Sequence, residues 1–556
     1  MLLLMDGGLN LNDPLVIGET ELAIATNADF RKKGVVRSRD GRASVYTNQG
    51  TSFMQLAAGF LYSFGSNIFK DGTSLGTAIT GATAVGSAKL YNVSNEVALL
   101  SAQNNYKVDG SSVYIWGIAA PTVAPTMAAF AGGTMVAGTY YYKYTYARYI
   151  GSTLVAESNP SPVSTAVVLS GGNLQATFTG VASSDSQVTH YRIYRTLVNG
   201  AGTSDEFFFD VETTLATYQI LASQADTALG TLVEIDNDPP PASNFNSIVG
   251  PGAYGVIFVA YGNTVAFSKS IRPESFPGTY YFTVGVPSQT ILGLIDWGGL
   301  IFIFNTSEVY FIQGTDADSF YPVKTQASRG LAARRALKAT PAGIEYLSYD
   351  GLYLFNGQSE VKLTGEKVDS LFRGETINGI SPINKNSIAN CWLAYWNGKS
   401  FLGYPTANNT VPDKVLVLDH ETGKASIYDY GVSINSVLED KSGNRLLAGD
   451  SNGTVWQLET GENDAGSSFT FKVRSRELSG LAHATPSFIR HDISNGSANT
   501  IYTRLLSKTT TVHTTTITDS NEHKRRLIGT EHFDSLQVEI ESLTTGRIEV
   551  GSIGLE

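Results

Sequence analysis

The sequence predicts an all-β protein: a β-propeller of about seven blades, within a range of roughly six to eight, with an inserted β-sandwich and a C-terminal β-domain. The first observation behind this is a recurring phrase, in which an apolar run of strand length meets a polar turn and a second apolar run follows, as in a β-hairpin. It is plainest at 296–314 (DWGGLIFIFNTSEVYFIQG) and 343–357 (GIEYLSYDGLYLFNG), and it returns at 60–72, 108–117, 256–269, 393–404 and 446–459. The second observation is the spacing of the turns. Taking Asn67, Gly110, Asn263, Ser307, Gly351, Gly398 and Gly453 as markers, the separations are 43, 153, 44, 44, 47 and 55. A period near 44 is about that of a four-stranded propeller blade, and the 153-residue step is one such period plus the length of one β-sandwich. The third is composition: 56 glycines, 28 tyrosines and only 16% charged residues suit many short strands joined by tight turns.

Residues 1–50 read as an extended strap, with turn signals at Gly7-Gly8, Asn12-Asp13-Pro14 and Asp40-Gly41. The strap holds Arg31, Lys32, Lys33, Arg37, Arg39 and Arg42, six basic residues in twelve positions beside the single acid Asp40. This run is the candidate contact for a partner or for phosphate, or else a solvated arm. The opening MLLLMD has no basic stretch and is too short for a secretory signal, and no apolar run reaches about 18 residues, so no membrane span is expected.

Residues 51–118 are the first part of the propeller. At Pro121 and Pro125 the character changes, and 119–241 reads as a discrete sandwich resembling a fibronectin type III domain. Tyr140, Tyr142, Tyr144 and Tyr146 alternate along one strand, which puts them on one face. Such a stripe is a packed face or a platform on which sugar rings stack, and packing is the commoner use. The module ends at the stiff Pro239-Pro240-Pro241.

Residues 242–462 resume the propeller. Two helical segments are expected there: 331–338, where Ala332, Ala333 and Ala336 favour helix, and 366–372, where Val368, Leu371 and Phe372 form one apolar stripe. Residues 463–556 alternate again and read as a terminal β-domain. It holds His483, His491, His513, His523 and His532, at spacings that match no metal-ligand pattern. The basic run 523–526 reads as a solvated turn.

No nucleophile elbow, zinc-binding helix, paired-cysteine or phosphate-loop motif occurs, so no catalytic, metal-binding or cofactor-binding residue is assigned, and no enzymatic activity is expected. The single cysteine, Cys391, lies in an apolar run and reads as a buried small hydrophobe. Asp450 to Trp456 (DSNGTVW) approaches the aspartate box of sialidase propellers without keeping its spacing. Asp316 and Asp318 lack the rest of a calcium loop. The net charge of −11 excludes a protein held to nucleic acid by an overall basic face.

The order of phrases YGNTVAFSKSIRPESFP, ILGLIDWGGLIFIFNTSEVYFIQGTDADSF and ASRGLAARRALKATPAGIEYLSYDGLYLFNG resembles the β-propeller tail nozzle, or tail-hub, proteins of short-tailed bacteriophages. GGLNLNDP, ATNADF, GVVRSRDGR and AGTYYYKYTY with ESNPSP and THYRIYRT are similar to segments of the same proteins, so the resemblance covers most of 7–460. It implies a structural virion protein, assembled in the host cytoplasm as a hexameric ring at the distal end of the tail tube. The implied partners are other copies of the chain, adjacent tail adaptor or tube proteins, tail fibres, and double-stranded DNA passing without sequence-specific binding. No cofactor is implied. The excess of 50 acidic over 39 basic residues fits a channel wall that does not hold phosphates. The alternative is a carbohydrate-binding or sialidase-like propeller acting at a cell surface.

Overall fold

The computed structural model describes residues 2–47, 53–57, 60–78, 87–90, 97–100, 104–203, 206–220, 225–241, 245–252, 254–479, 488–495, 499–507, 510–518, 523–526 and 535–555. The expected all-β class holds. Among the described residues, six sheets contain a meander of four consecutive strands and a seventh contains a meander of three completed by an N-terminal strand, as propeller blades do. Among the described residues the one α-helix is Asp369–Arg373, and no helix is long and apolar enough to cross a membrane.

The turns explain why these meanders form. At Asn397-Gly398 both residues have positive φ, 48° and 76°, while Trp396 pairs with Lys399 across them. Those are the dihedral signs that a two-residue hairpin turn needs to match strand twist. Along the strand Gly343–Ser348 every residue is buried, which is how a blade packed on both faces reads.

The chain divides into two compact units. The first comprises Met1–Ala78, Ile303–Tyr310 and Lys324–Glu556. In it, the first strands of four meanders lie side by side in the order Phe53–Ala57, Ile434–Asp440, Trp392–Trp396, Leu337–Thr340. The N-terminal strap contributes β1 (Leu2–Leu4), β2 (Leu22–Thr26), β3 (Ala28–Asp29), β4 (Val36–Ser38) and β5 (Arg42–Tyr46), and each is paired into a sheet. β5 completes the meander of Ile434–Asp440, Arg445–Asp450 and Val455–Leu458 as its fourth strand. β2 lies between Ala425–Tyr428, which it meets in parallel, and Phe469–Ser475, which it meets antiparallel. One sheet of ten strands therefore runs from a blade into the terminal β-domain. β1 and β4 both pair with the last strand, Ile548–Leu555.

The second unit comprises Ile79–Phe302 and Phe311–Val323. Its meanders start at Ser87–Lys89, Ser247–Val249 and Ile291–Trp297, and these first strands again neighbour one another in that order. The sandwich strands lie in the same unit. Tyr140, Tyr142, Tyr144 and Tyr146 are buried there with Phe178 and Tyr191, so the stripe is a packed face, although it is not one strand: Tyr140 ends Gly138–Tyr140 and the other three lie on Tyr142–Ile150. The Tyr144 and Phe178 rings meet edge to face at 5.3 Å. Pro160 and Pro162 cannot donate to a ladder, and a three-residue period replaces it. The Ser158, Ser161 and Ser164 hydroxyls accept from the Tyr146, Tyr144 and Tyr142 amides at 3.0, 3.1 and 2.9 Å, while the serine amides donate back to the tyrosine carbonyls.

Two local expectations are corrected. Residues 331–338 are not a helix: a turn at Ala333–Ala336 leads into the strand Leu337–Thr340. Leu331, Ala332, Ala333 and Ala336 are all buried, so tertiary packing on both sides overrides alanine's helical preference. The run His523–Arg526 is a strand against Phe488–Asn495, not a turn. The helical expectation at 366–372 holds, as a 3-10 turn at Glu366–Val368 followed by Asp369–Arg373 and closed by Gly374 at φ 88°.

Candidate functional site

The basic run in the strap folds against the first unit and meets carboxylates from far along the chain. β3 carries Asp29, whose side chain is fully buried. Its Oδ2 lies 2.5 Å from Arg31 Nη2, 3.0 Å from Arg37 Nη2 and 3.0 Å from Lys399 Nζ. Burial alone would raise the Asp29 pKa, but the Lys399 and Arg31 charges and hydrogen bonds outweigh it and hold the carboxyl well below the usual range. Arg31 Nη2 also lies 2.9 Å from Asp40 and 4.0 Å from Glu459. Asp29, Asp40 and Glu459 are the one carboxylate triad among the described residues with metal-ligand spacing, and the Arg31 guanidinium already stands among them.

Arg39 is enclosed. Nη1 and Nη2 bind the two oxygens of Asp464 at 3.0 and 2.8 Å, Nε donates to Asn27 Oδ1 at 2.9 Å, and the carbonyls of Asp40 and Asp429 take the remaining donors at 2.8 and 2.7 Å. The Tyr430 and Phe469 rings cover its two faces at 4.3 and 4.1 Å. Arg42 stacks on Trp456 at 3.8 Å and donates to the Tyr430 carbonyl at 2.9 Å. Burial pushes its pKa down, with Asp464 acting the other way.

Of the six basic residues singled out from the sequence, Arg31, Arg37, Arg39 and Arg42 thus converge on Asp29, Asp40 and Asp464, and Arg39 has no exposed side-chain surface. Lys32 points outward and pairs with Glu549 at 2.6 Å, and Lys33 is exposed. The partners Asp464, Lys399 and Glu459 carried no signal in the sequence, because nothing local marks a contact across 400 residues.

A second cluster, also unmarked in sequence, joins two neighbouring blades. Glu345 Oε2 accepts the Ser400 hydroxyl, Ser400 Oγ lies 2.6 Å from His420 Nε2, and that nitrogen is 3.2 Å from Glu345 Oε1. Burial pushes the Glu345 pKa up to about 7, with a contribution from the Glu439 charge, and burial pushes His420 down. Both shifts favour a neutral acid beside a neutral imidazole. The residue types are those of a hydrolytic triad, but the arrangement is not. A relay needs the carboxylate and the serine on different imidazole nitrogens, whereas both meet Nε2 here, and Ser400 is fully buried.

The remaining sequence candidates are structural. Asp450 accepts from the Asn452 and Thr454 amides at 2.8 and 2.9 Å and from Trp456 Nε1 at 2.8 Å, so the DSNGTVW segment is a side-chain-closed turn. Cys391 is buried and its thiol is pushed up to about 12 by burial, which leaves no thiolate at neutral pH. Asp316 and Asp318 gather no third ligand among the described residues. His491 is buried and His513 half-buried, while His483 and His532 lie outside the described residues.

No family model and no curated protein matches the chain. Among solved structures it is similar to a glutaminyl cyclase of Myxococcus xanthus, with a TM-score of 0.21 and 13% identity over 36% of this chain and 84% of that one. It is also similar to apo AztD of Citrobacter koseri, with a TM-score of 0.27 and 12% identity over 72% of this chain and 85% of that one. Likenesses at this level carry no argument about activity.

Proposed function

We propose that the chain is a structural virion protein, a component of the tail nozzle of a short-tailed phage, which assembles with copies of itself into a ring around the path of the exiting genome. The observation that carries this reading furthest is the ten-stranded sheet stitched through β2, which makes a blade and the terminal β-domain mechanically continuous. Such continuity suits a part that transmits force, and it does nothing for substrate turnover. The resemblance in the order of phrases along 7–460 supports the family, the sixfold ring and the neighbouring tail proteins. On this reading the buried charges of the strap lock the N-terminal strands in place and perform no catalysis.

One support for the carbohydrate-binding or sialidase-like alternative, the tyrosine stripe, is buried in the sandwich. Negative-stain imaging of the purified chain, alone and with the adjacent tail component, separates the two. Rings with a central hole are expected; monomers that retain glycan on an array would replace this reading with the alternative.

A further inference from the structure

The corrected segment at 331–338 presents a feature that the virion reading leaves unused. Arg334 and Arg335 are the two central residues of a β-turn closed by the Ala336 amide donating to the Ala333 carbonyl at 3.0 Å. The turn is held from several sides. The Ala332 amide donates to the Leu347 carbonyl at 2.8 Å, the Leu347 amide to the Ala336 carbonyl at 2.9 Å, and the Leu393 amide to the Arg335 carbonyl at 3.0 Å. Its anchors in the core are Leu331, Ala332, Ala333 and Ala336, so the arginine side chains are not needed as filling.

The two guanidiniums stand without counter-charge. Among the described residues no carboxylate comes within ion-pair distance of either, whereas Arg31, Arg39, Arg192, Arg445 and Arg504 each have at least one. The nearby Lys338 does not leave an acid free, because it is itself paired with Glu439 at 3.0 Å. Arg335 donates once, from Nη1 to the Asn435 carbonyl on the first strand of another blade, while Arg334 is exposed and donates to nothing described. Partial burial disfavours the charge on each, and Arg334 adds its repulsion to Arg335. Arginine nevertheless stays protonated at neutral pH. Two like charges are therefore held on one rigid turn with most of their donors unused.

We propose that the Arg334–Arg335 turn is an anion site that takes a phosphate group. A guanidinium offers two parallel N–H donors that match two phosphate oxygens, and two such forks on a pinned turn suit a tetrahedral anion carrying more than one charged oxygen. Bound there, the anion would satisfy the free donors and remove the repulsion between the side chains. The phosphate could be a free ion or part of a nucleic-acid backbone. The inference stands apart from the virion reading, since rings can form without binding phosphate and phosphate can bind without rings.

The test uses the full chain, with Arg334→Gln and Arg334→Gln/Arg335→Gln beside it, each checked for an unchanged melting temperature. Arg334 is exposed and its side chain has no hydrogen bond or ion pair among the described residues, so the single variant keeps the test informative if the double variant misfolds. Inorganic phosphate is titrated by calorimetry, and a labelled duplex of about 20 base pairs is titrated between roughly 50 and 200 mM salt. Binding of at least one probe is expected, weakened about tenfold in the single variant, with the duplex salt slope lowered by about one for each arginine removed. Phosphate binding without duplex binding assigns the site to the free ion; duplex binding that phosphate displaces assigns it to a nucleic-acid backbone. Absence of binding by the unmodified chain, or equal binding and slope in the folded Arg334→Gln chain, overturns the proposal.

Discussion

Two basic stretches of this molecule have opposite fates. The strap holds six basic residues within 31–42 and is the densest cationic run near the N-terminus, yet four of them face Asp29, Asp40 and Asp464. The pair Arg334-Arg335 is short and sits in an alanine-rich segment that reads as a helix, yet no described carboxylate neutralises it. Local charge density therefore does not tell an interior clamp from an outward-facing site. What decides is whether the fold brings acids from elsewhere to the same place. For the strap it brings Asp464 from 425 residues away and for the turn it brings none among the described residues.

The largest effect that separates the two stretches is expected at Asp29. Replacing it by Asn leaves Lys399, 3% exposed, and the neighbouring arginines without their shared anion, and should cost about 3 to 5 kcal/mol by urea denaturation. The sign of the pH dependence follows from its depressed pKa. The Asp29 contribution is present above the unfolded value of 3.8 and is lost as pH falls below it, so the Asn variant should show a shallower acid-side loss of stability. An Asn variant as stable as the parent would mean that the strap is held by strand pairing alone.

A smaller effect, of opposite sign, is expected at Glu345. Its folded pKa of about 7 lies above the ordinary 4.5, so stability is fully present below pH 4.5 and is lost as pH rises towards 7, by about 3 kcal/mol at most. Glu345→Gln should flatten that part of the curve, because the amide can still accept the Ser400 hydroxyl. A curve unchanged by the substitution would show that Glu345 does not titrate there. The smallest effect is expected at the strap's outward residues. Lys32→Ser and Lys33→Ser should each shift stability by less than about 0.5 kcal/mol, as exposed charges do, and a larger loss at Lys33 would reveal a partner inside the chain.

Much of the fold was legible because its cause is local. The turn at Asn397-Gly398, the alternation of Tyr142, Tyr144 and Tyr146 and the recurrence near 44 residues are all set by dihedral preference and strand period, which neighbouring residues determine. The segment at 331–338 was misread for the complementary reason: Ala332, Ala333 and Ala336 favour helix by propensity, while burial of all three against the core holds them in a turn. The site was legible only in half. The arginines of the strap stand out by composition, but their partners Asp464, Glu459 and Lys399 look like ordinary charged residues until the fold brings them beside the strap. Glu345, Ser400 and His420 come from two blades and share no spacing that a sequence could show.

The central claim is that the basic strap is an interior clamp, and the double-mutant cycle between Arg39 and Asp464 tests it most directly. Arg39→Met, Asp464→Leu and the double variant would be compared by chemical denaturation. A coupling energy of at least about 2 kcal/mol is predicted, with the double variant losing less than the two single losses added together, because each single variant leaves a buried charge unpaired. Additive losses, with coupling below about 0.5 kcal/mol, would contradict the clamp and return the strap to the role of a solvated arm free to meet a partner.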